Sequence, residues 1–518
     1  LDNTAGRINS NQTSVIRGTE LNNAQGNIAI GQDLELTLNG ISNNKGLITA
    51  GNNLSATVSQ ALNNDQGTIA GNQTVALNTH LLSNTQGQIA SVKGNASIQS
   101  ASQINNQLGQ IIAAQSLSTH SEQLNNQNGQ LLGQNVALNS TDLNNDSGLI
   151  QATQALSIDT HGANLTNTHS GSQGGILSGG SLTIASGDLN NQTGVIAGAG
   201  SAQLSTKAVN NQQGQISFQS QLDWNSSDIN NNDGLIRVGQ VAHLTANTIN
   251  NSNTQAVDKG LEASELHLNT TDLDNTSGGV RGNALLEINA TGHLNNTSGS
   301  ITAEKVLKVQ GGSLRITNTN GILNAGQSEQ ITAQSLTGDG QVLSQQDLSI
   351  DLSSDWSNTG KVQAGRDLQL TTTGILSNDS SIFAGRINRI NAQNINNTAS
   401  AQIAGAQTEL NSQNSLTNRG LIDGNSTYLK ASLINNIGTG RIYGDDLSIA
   451  ATTLNNIDET IAGKNTAATI AARRRLDIGA QTINNREHAT LYADGSLNIG
   501  GALDANRLVI GKADTINN

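Results

Sequence analysis

A tripeptide of the form Leu-Asn-Asn recurs about every twenty residues along this chain of 518 residues. It occurs at Leu21-Asn22-Asn23, Leu62-Asn63-Asn64 and Leu124-Asn125-Asn126, and variants such as Ile41-Ser42-Asn43 stand at the positions between them. A period in this range is typical of a solenoid, in which each repeat is one turn that buries its apolar residues only by stacking on its neighbours. The chain is therefore predicted to be a stack of turns rather than a globular domain.

Apolar and polar residues alternate in short runs within each repeat, as in residues 26–30 and 34–38 after the anchor at Leu21. Alternation with a period of two indicates strands, three in each repeat. We therefore predict an all-β fold, a right-handed parallel β-helix of about 25 coils with roughly 20 residues and three short strands per coil. The chain contains no Pro, as expected where every strand needs all of its backbone N–H groups.

Glycines recur between the runs, at Gly26 and Gly31 and again at Gly46 and Gly51. We expect the chain to turn sharply or to adopt a positive φ at these positions.

The second asparagine of each anchor lies two residues after an inward-facing Leu or Ile, so its amide is predicted to point into the turn. A buried amide must be hydrogen-bonded, and the same amide one coil away is a natural partner. We therefore predict a structural asparagine ladder formed by Asn23, Asn43, Asn64, Asn84, Asn106, Asn126, Asn145, Asn191, Asn211, Asn231, Asn251, Asn296, Asn397, Asn436, Asn456 and Asn485.

The composition favours no catalytic chemistry. The chain has no Cys, which excludes disulfides and thiol catalysis, and its eight His are scattered without the spacing of a metal site. We expect no catalytic residue, no cofactor and no metal. A net charge of −13 disfavours binding to nucleic acid, and no apolar run is long enough to span a membrane. Because the chain starts without Met and both ends lie on anchors, we expect it to be part of a longer protein.

The order Leu-Asn-Asn, Gly-x-Ile, Ala-Gly and Leu-x-Leu resembles the repeat of filamentous haemagglutinin-like exoproteins of two-partner secretion, and the resemblance covers essentially the whole chain. It implies a secreted filament at the bacterial cell surface that is exported through a dedicated outer-membrane β-barrel transporter. Such a filament serves adhesion, or carries a toxin at its far end. The partners that the resemblance implies are that transporter and a receptor or glycan on a target cell.

A narrower resemblance covers the last seventy or so residues. Four segments there resemble contact-dependent growth-inhibition exoproteins: Arg441-Ile442-Tyr443-Gly444, Ile470-Ala471-Ala472-Arg473, Leu476-Asp477-Ile478-Gly479 and residues 484–489. In that family such a stretch lies where the stalk meets the receptor-binding region, with a toxic domain beyond it. We therefore divide the chain into a stalk, residues 1–440, and a segment of continuing β-helix at 441–518 that begins the receptor-binding region. Charge density agrees, because 16 of the 72 residues from Arg441 to Lys512 are charged.

Long intervals between anchors predict insertions. The interval from Leu454 to Ile483 spans 29 residues and holds Arg473, Arg474 and Arg475, which are expected either on a solvated loop or outward-facing strand, or on a partner-contact loop. Two further intervals of 24 residues predict loops at residues 169–175 and 256–260.

Two other classes of function remain open. A glycan-binding, haemagglutinin-type adhesin or biofilm protein would carry a patch of ligand contacts along the coils. A polysaccharide-degrading β-helix enzyme or phage tailspike would need paired carboxylates in a groove with aromatic side chains, and two Trp, three Tyr and two Phe do not supply that surface. We rank the non-catalytic stalk first and the enzyme last.

Overall fold

The computed structural model of the protein describes residues 1–461 and 463–518, which form strands, turns and bends without any helix. The fold is a parallel β-solenoid of about 25 turns, with successive turns about 20 residues apart. The predicted all-β parallel β-helix is thus confirmed. Two compact units divide the chain, Leu1–Ser264 and Glu265–Asn518, and each is described by itself. The boundary expected at residue 441 lies within the second unit and stays a prediction.

One turn of the first unit shows how the repeat folds. Strands β4 (Asn27–Ile30), β5 (Leu34–Leu38) and β6 (Gly40–Ser42) form the three sides of the turn. Each pairs in parallel with the next turn, so that Ile28 lies beside Ile48. In many other turns two sides are continuous through a corner and form one long strand, as in β8 (Asn53–Asn63).

The first 27 strands are β1 Arg7–Ser10, β2 Ser14–Arg17, β3 Glu20–Asn22, β4 Asn27–Ile30, β5 Leu34–Leu38, β6 Gly40–Ser42, β7 Leu47–Ala50, β8 Asn53–Asn63, β9 Thr68–Gly71, β10 Thr74–Ser83, β11 Gln88–Ser91, β12 Ala96–Asn105, β13 Gln110–Ala113, β14 Ser116–Asn125, β15 Gln130–Asn144, β16 Leu149–Asp159, β17 Leu165–Thr166, β18 Gly175–Ser178, β19 Leu182–Ala185, β20 Leu189–Asn190, β21 Val195–Gly198, β22 Ala202–Ser205, β23 Ala208–Asn210, β24 Gln215–Phe218, β25 Gln221–Asn225, β26 Asp228–Asn230 and β27 Leu235–Asn250.

The other strands are β28 Gly260–Asp274, β29 Gly279–Ala290, β30 His293–Asn295, β31 Ser300–Ala303, β32 Val306–Gln310, β33 Arg315–Thr317, β34 Ile322–Ala325, β35 Ser328–Ala333, β36 Ser335–Thr337, β37 Gln341–Ser344, β38 Asp347–Leu352, β39 Trp356–Asn358, β40 Lys361–Ala364, β41 Asp367–Thr372, β42 Ile375–Asn378, β43 Ser381–Asn397, β44 Gln402–Asn418, β45 Leu421–Asp423, β46 Ser426–Ile437, β47 Arg441–Ile461, β48 Lys464–Ala467, β49 Thr469–Arg486, β50 Thr490–Ala493, β51 Ser496–Gly500, β52 Ala502–Leu503, β53 Val509–Ile510 and β54 Thr515–Asn517.

The core of each unit is a set of apolar columns, because the same inward position of successive turns carries an apolar residue. In the first unit one such column consists of Ile28, Ile48, Ile69, Ile89, Ile111, Leu131, Ile150, Ile176, Ile196, Ile216 and Ile236, and every member is buried. Both Trp residues also lie in the core: Trp224 is buried with its indole N–H donated to Thr206 Oγ1, and Trp356 is buried at an anchor position.

At most corners of the first unit the chain turns sharply beside the glycine, as expected, but the glycine itself does not have the positive φ. The positive φ falls on the residue before the glycine, as at Lys45 with φ 55°, and not on Gly46. Gly46 is required by close packing instead, since a Cβ there would lie 2.2 Å from the carbonyl oxygen of Asn23 and 2.5 Å from Asn43 Oδ1. The corner thus needs a small residue beside the previous turn, and it tolerates a non-glycine residue in the left-handed region.

Two antiparallel hairpins extend from the parallel stack in the second unit. In the first hairpin, β48 pairs with the end of β47, placing Asp458 opposite Ala467. In the second, β52 pairs with β53, placing Ala502 opposite Ile510. These hairpins accommodate residues beyond the length of a standard turn.

Candidate functional site

The buried asparagines form a ladder through each unit. The Nδ2 of Asn23 donates to Asn43 Oδ1 at 2.7 Å, and Asn43 donates in turn to Asn64 Oδ1 at 2.7 Å. In the first unit the ladder runs from Asn3 to Asn251. In the second unit one run joins Asn275, Asn296 and Asn318, and another joins Asn358 to Asn518. All sixteen predicted asparagines lie in this ladder.

Many ladder amides also satisfy the backbone of their own corner. Asn43 Nδ2 lies 3.2 Å from the carbonyl oxygen of Gly46 and 3.1 Å from that of Thr68 in the next turn. The asparagine is fully buried, so these bonds replace water that cannot reach the corner. The ladder therefore joins corner to corner and turn to turn.

Several ladder members were missing from the sequence prediction. Most of them follow an anchor whose middle residue is Asp, Ser or Thr, as the predicted Asn43 and Asn84 also do, whereas Asn518 ends the anchor Ile516-Asn517-Asn518. Their common signal is an Asn two residues after the inward apolar residue, whatever stands between. The described members of this kind are Asn3, Asn167, Asn275, Asn318, Asn358, Asn378, Asn418 and Asn518.

A second set of rungs runs on the outside, formed by the first asparagine of neighbouring anchors where both carry one. Asn125 Nδ2 donates to Asn105 Oδ1 at 3.0 Å, which is the opposite direction along the stack from the inner ladder. The Oδ1 of Asn125 also accepts the backbone N–H of Gln127 and so shapes the corner. These amides are half-buried, and sequence reasoning did not identify them.

The three arginines of the second unit lie on strand β49, which agrees with the alternative of an outward-facing strand and not with a loop. The extra residues of their interval form the β47–β48 hairpin instead, because residues 458–461 pair with residues 464–467 before the chain rejoins the stack. Arg473 contacts Asp445 at 2.7 Å, Arg474 contacts Asp446 at 2.6 Å, and both side chains are about two-thirds exposed. The hydrogen bond to Asp445 raises the pKa of Arg473. Arg475 approaches the buried carboxylate of Asp477 at 2.7 Å.

The two other predicted insertions carry no strand in the structure. Residues 169–174 lie between β17 and β18, and residues 256–259 lie between β27 and β28. Both are tied to neighbouring turns, one by a hydrogen bond between His169 Nδ1 and Asp146 Oδ1 at 2.8 Å and the other by an ion pair between Lys259 and Asp233. The hydrogen bond from Lys259 lowers the pKa of Asp233. These loops therefore lie against the solenoid surface.

A polar groove of about 700 Å³ follows one corner of the second unit through several turns. Its walls combine alanines with small hydroxyl and carboxamide side chains and one cation, including Thr371, Asn391, Asn411, Ser412, Lys430 and Ala431. Such a surface can exchange hydrogen bonds with a hydroxyl-rich ligand, but it offers no aromatic ring for stacking.

Within residues 1–461 and 463–518, His, Asp and Glu side chains form no cluster suited to a metal ion. The same residues contain no helix long and apolar enough to cross a membrane. Comparison of the chain with protein-family models, with curated proteins and with solved structures gives no match.

Proposed function

We propose that this chain is the non-catalytic stalk of a secreted bacterial surface exoprotein. In this proposal the stalk is exported through an outer-membrane two-partner-secretion transporter. It projects a distal receptor-binding or toxin region for contact-dependent growth inhibition, or it mediates adhesion directly. The observation that carries the proposal is the repetition of one turn, with the same inner ladder and the same apolar columns, through each unit.

The distribution of side chains supports a mechanical role. The asparagines that define the repeat donate their hydrogen bonds to neighbouring turns and to their own corners, as Asn43 does. The two Trp residues are buried, so neither ring is available to stack on a sugar. Within each unit, stability then comes from contacts between neighbouring turns, as in other repeat proteins.

We place recognition of a target cell in residues 441–518. Arg473 and Arg474 are neighbours on β49 with guanidinium groups that remain largely exposed despite their carboxylate partners. Exposed arginines can form bidentate bonds with carboxylates or phosphates on a partner.

The polar groove supports a second candidate, a glycan-binding adhesin. A glycan would lie along the corner lined by Asn391, Asn411 and Lys430 and would be held by hydrogen bonds to its hydroxyl groups. Added soluble polysaccharide would then compete with cell binding, whereas a protein receptor in residues 441–518 would leave binding insensitive to that competitor.

The test is binding of the labelled chain to bacterial and to host cells, with the full chain compared with a chain truncated before Arg441. The contact-dependent role predicts binding to bacteria that the truncation abolishes. Binding to host cells would favour an adhesin. Absence of binding to either cell type would contradict a recognition segment in this chain and leave a spacer.

Point variants separate recognition from folding in the same assay. Arg473→Ala with Arg474→Ala is expected to weaken binding to bacteria. Arg386→Ala is the matched control, because Arg386 is similarly exposed, is paired with Asp367 across one turn and lies before residue 441. If Arg386→Ala weakened binding to bacteria as much as the double substitution does, the loss would reflect a general effect of positive charge and not recognition by Arg473 and Arg474.

A further inference from the structure

Residues 501–514 leave the stack between β51 and β54 and fold back over the outside of the second unit. They contain the β52–β53 hairpin, whose tip is the turn from Asp504 to Arg507. The chain then returns to the stack at Thr515, which pairs with Thr482 of β49. A single excursion therefore begins and ends in the same turn.

The hairpin reaches far back along the sequence through Arg507. Its Nη2 lies 2.6 Å from Glu409 Oε1, across 98 residues, and its guanidinium lies 4.1 Å from the centre of the Tyr428 ring. The carbonyl oxygen of Arg507 accepts a hydrogen bond from Ser448 Oγ at 3.4 Å. Arg507 is thus bound to three successive turns through Glu409, Tyr428 and Ser448, which are in register with one another.

The carboxylate of Glu409 receives donors on both oxygens. Arg389 Nε contacts Oε2 at 2.9 Å, and Gln407 Nε2 donates to Oε1 at 2.6 Å beside Arg507. Burial opposes ionisation, but the hydrogen bonds from Arg507, Arg389 and Gln407 outweigh it and lower the pKa of Glu409 to about 2. Glu409 is therefore ionised at neutral pH and is a strong partner for a guanidinium.

Burial along one outward column shows what the hairpin covers. Where the column is uncovered, Ser349 is half-buried and Gln369 is exposed, as expected for outward positions. Further along the same column Glu409, Ser448 and Asp477 are buried. The fit is close, because a Cβ on Gly479 would lie 2.4 Å from the carbonyl carbon of Ala502.

We propose that residues 501–514 are a clasp, held by Arg507, that ties its own turn to the turn of Glu409 and opens as a unit to uncover the column from Glu409 to Asp477. The ladder bonds join neighbouring turns, as between Asn456 and Asn485, whereas the clasp bridges four successive register steps. The clasp makes the turns from Glu409 to Asp477 unfold together rather than one at a time.

The absence of Cys from the chain allows a direct test with a single introduced thiol. In the full chain carrying Ser448→Cys, the thiol lies under the clasp, and its rate of reaction with a maleimide reports clasp opening. Ser349→Cys is the matched control, since it lies on the same column where nothing covers it. We expect Ser448→Cys to react more slowly than Ser349→Cys by about tenfold or more.

Addition of Arg507→Ala is expected to raise the rate at Ser448→Cys by about tenfold or more and to leave the rate at Ser349→Cys unchanged. Arg507→Lys keeps the charge and is expected to give an intermediate rate, because an ammonium lacks the planar group that stacks on Tyr428. Equal rates at the two thiols before any change at Arg507, or no effect of Arg507→Ala, would overturn the clasp. A rise at both thiols would also overturn it, since Arg507 would then support the whole unit.

Discussion

At the scale of single residues, the inner asparagines are the groups that set the repeat. Asn211 accepts from Asn191 and donates to Asn231, each at 2.7 Å, and it also bonds the carbonyl oxygens of Gly214 and Leu235. Each of these bonds lies in the buried interior. A carboxamide is suited to the position because it offers a donor and an acceptor on one short side chain.

Asn211→Ala is expected to lower the free energy of unfolding by roughly 1–3 kcal/mol, because it leaves buried backbone carbonyls and a neighbouring amide unsatisfied. Asn210→Ala is the matched control, since Asn210 belongs to the half-buried outer ladder where water can replace the lost partner. We expect the control to lose less than about 1 kcal/mol. Equal losses of stability for Asn211→Ala and Asn210→Ala in thermal melts would contradict the stabilising role of the inner ladder.

Glu329 is the residue that conflicts most with its surroundings. It occupies an inward position of β35 between Leu307 and Leu348, and neither carboxylate oxygen has a hydrogen-bond partner. Burial raises the pKa of Glu329 well above its usual range. The adjacent corner also lacks a ladder rung, because Gly338 stands where Asn318 would otherwise find its partner. Two defects therefore fall in one turn.

The raised pKa makes the stability contributed by Glu329 depend on pH. The contribution is fully present below the unfolded pKa, near 4.5, and is lost as the pH rises toward the folded pKa, because the folded state keeps a proton that the unfolded state has released. Glu329→Leu is expected to raise the free energy of unfolding at neutral pH by roughly 1–3 kcal/mol. Glu329→Gln should remove the pH dependence without the full gain. Denaturant melts between pH 4 and 8 would show this, and an unchanged slope with pH in both variants would contradict it.

Sequence reasoning located the inner ladder because an amide two residues after an inward leucine has only one place to point. It did not locate Glu329, since a glutamate in an alternating run is ordinarily assigned to the outside. The outer ladder was missed for a similar reason, because half-exposed amides have water as an alternative partner and the pattern does not decide between them.

At the scale of the turn, the corner after an anchor such as Ile41-Ser42-Asn43 makes opposite demands on adjacent residues. Lys45 has a φ of 55°, which costs a non-glycine residue about 1–2 kcal/mol, whereas Gly46 has no room for a Cβ. The sequence therefore carries strain at one position and a strict size limit at the next.

Lys45→Gly is expected to raise the free energy of unfolding by about 1 kcal/mol, and Gly46→Ala is expected to lower it by roughly 1–3 kcal/mol through overpacking. The adjacent positions serve as controls for each other in the same thermal melt. If both substitutions raised the free energy of unfolding, or both lowered it, then strain at Lys45 and close packing at Gly46 would not be the two opposing effects described.

The strands were predictable from alternation, and the loops at residues 169–175 and 256–260 were predictable from interval length. The hairpins were not, because antiparallel pairing at residues 458–467 and 502–510 departs from the repeat that organises the rest of the chain. The interval length alone did not decide whether Arg473 to Arg475 lie on a loop or on an outward-facing strand. They lie on strand β49, because the hairpin takes up the extra residues.

At the scale of the whole molecule, the proposed stalk role requires the turns of the solenoid to be interchangeable. Each turn is stabilised by contacts with the turns on either side of it. Removal of one complete turn therefore leaves the flanking turns with equivalent partners. An enzyme or a lectin site within the deleted turn would not tolerate the same change.

The most direct measurement is therefore deletion of one whole turn, residues 192–211, which joins Asn191 to Gln212 and restores the 20-residue spacing between ladder members. Deletion of residues 192–201 is the control, because it removes half a turn and breaks the register. We predict that the whole-turn deletion keeps a cooperative thermal transition and the same binding to cells, whereas the half-turn deletion loses the transition. Loss of folding or of binding on removal of the whole turn would contradict the stalk.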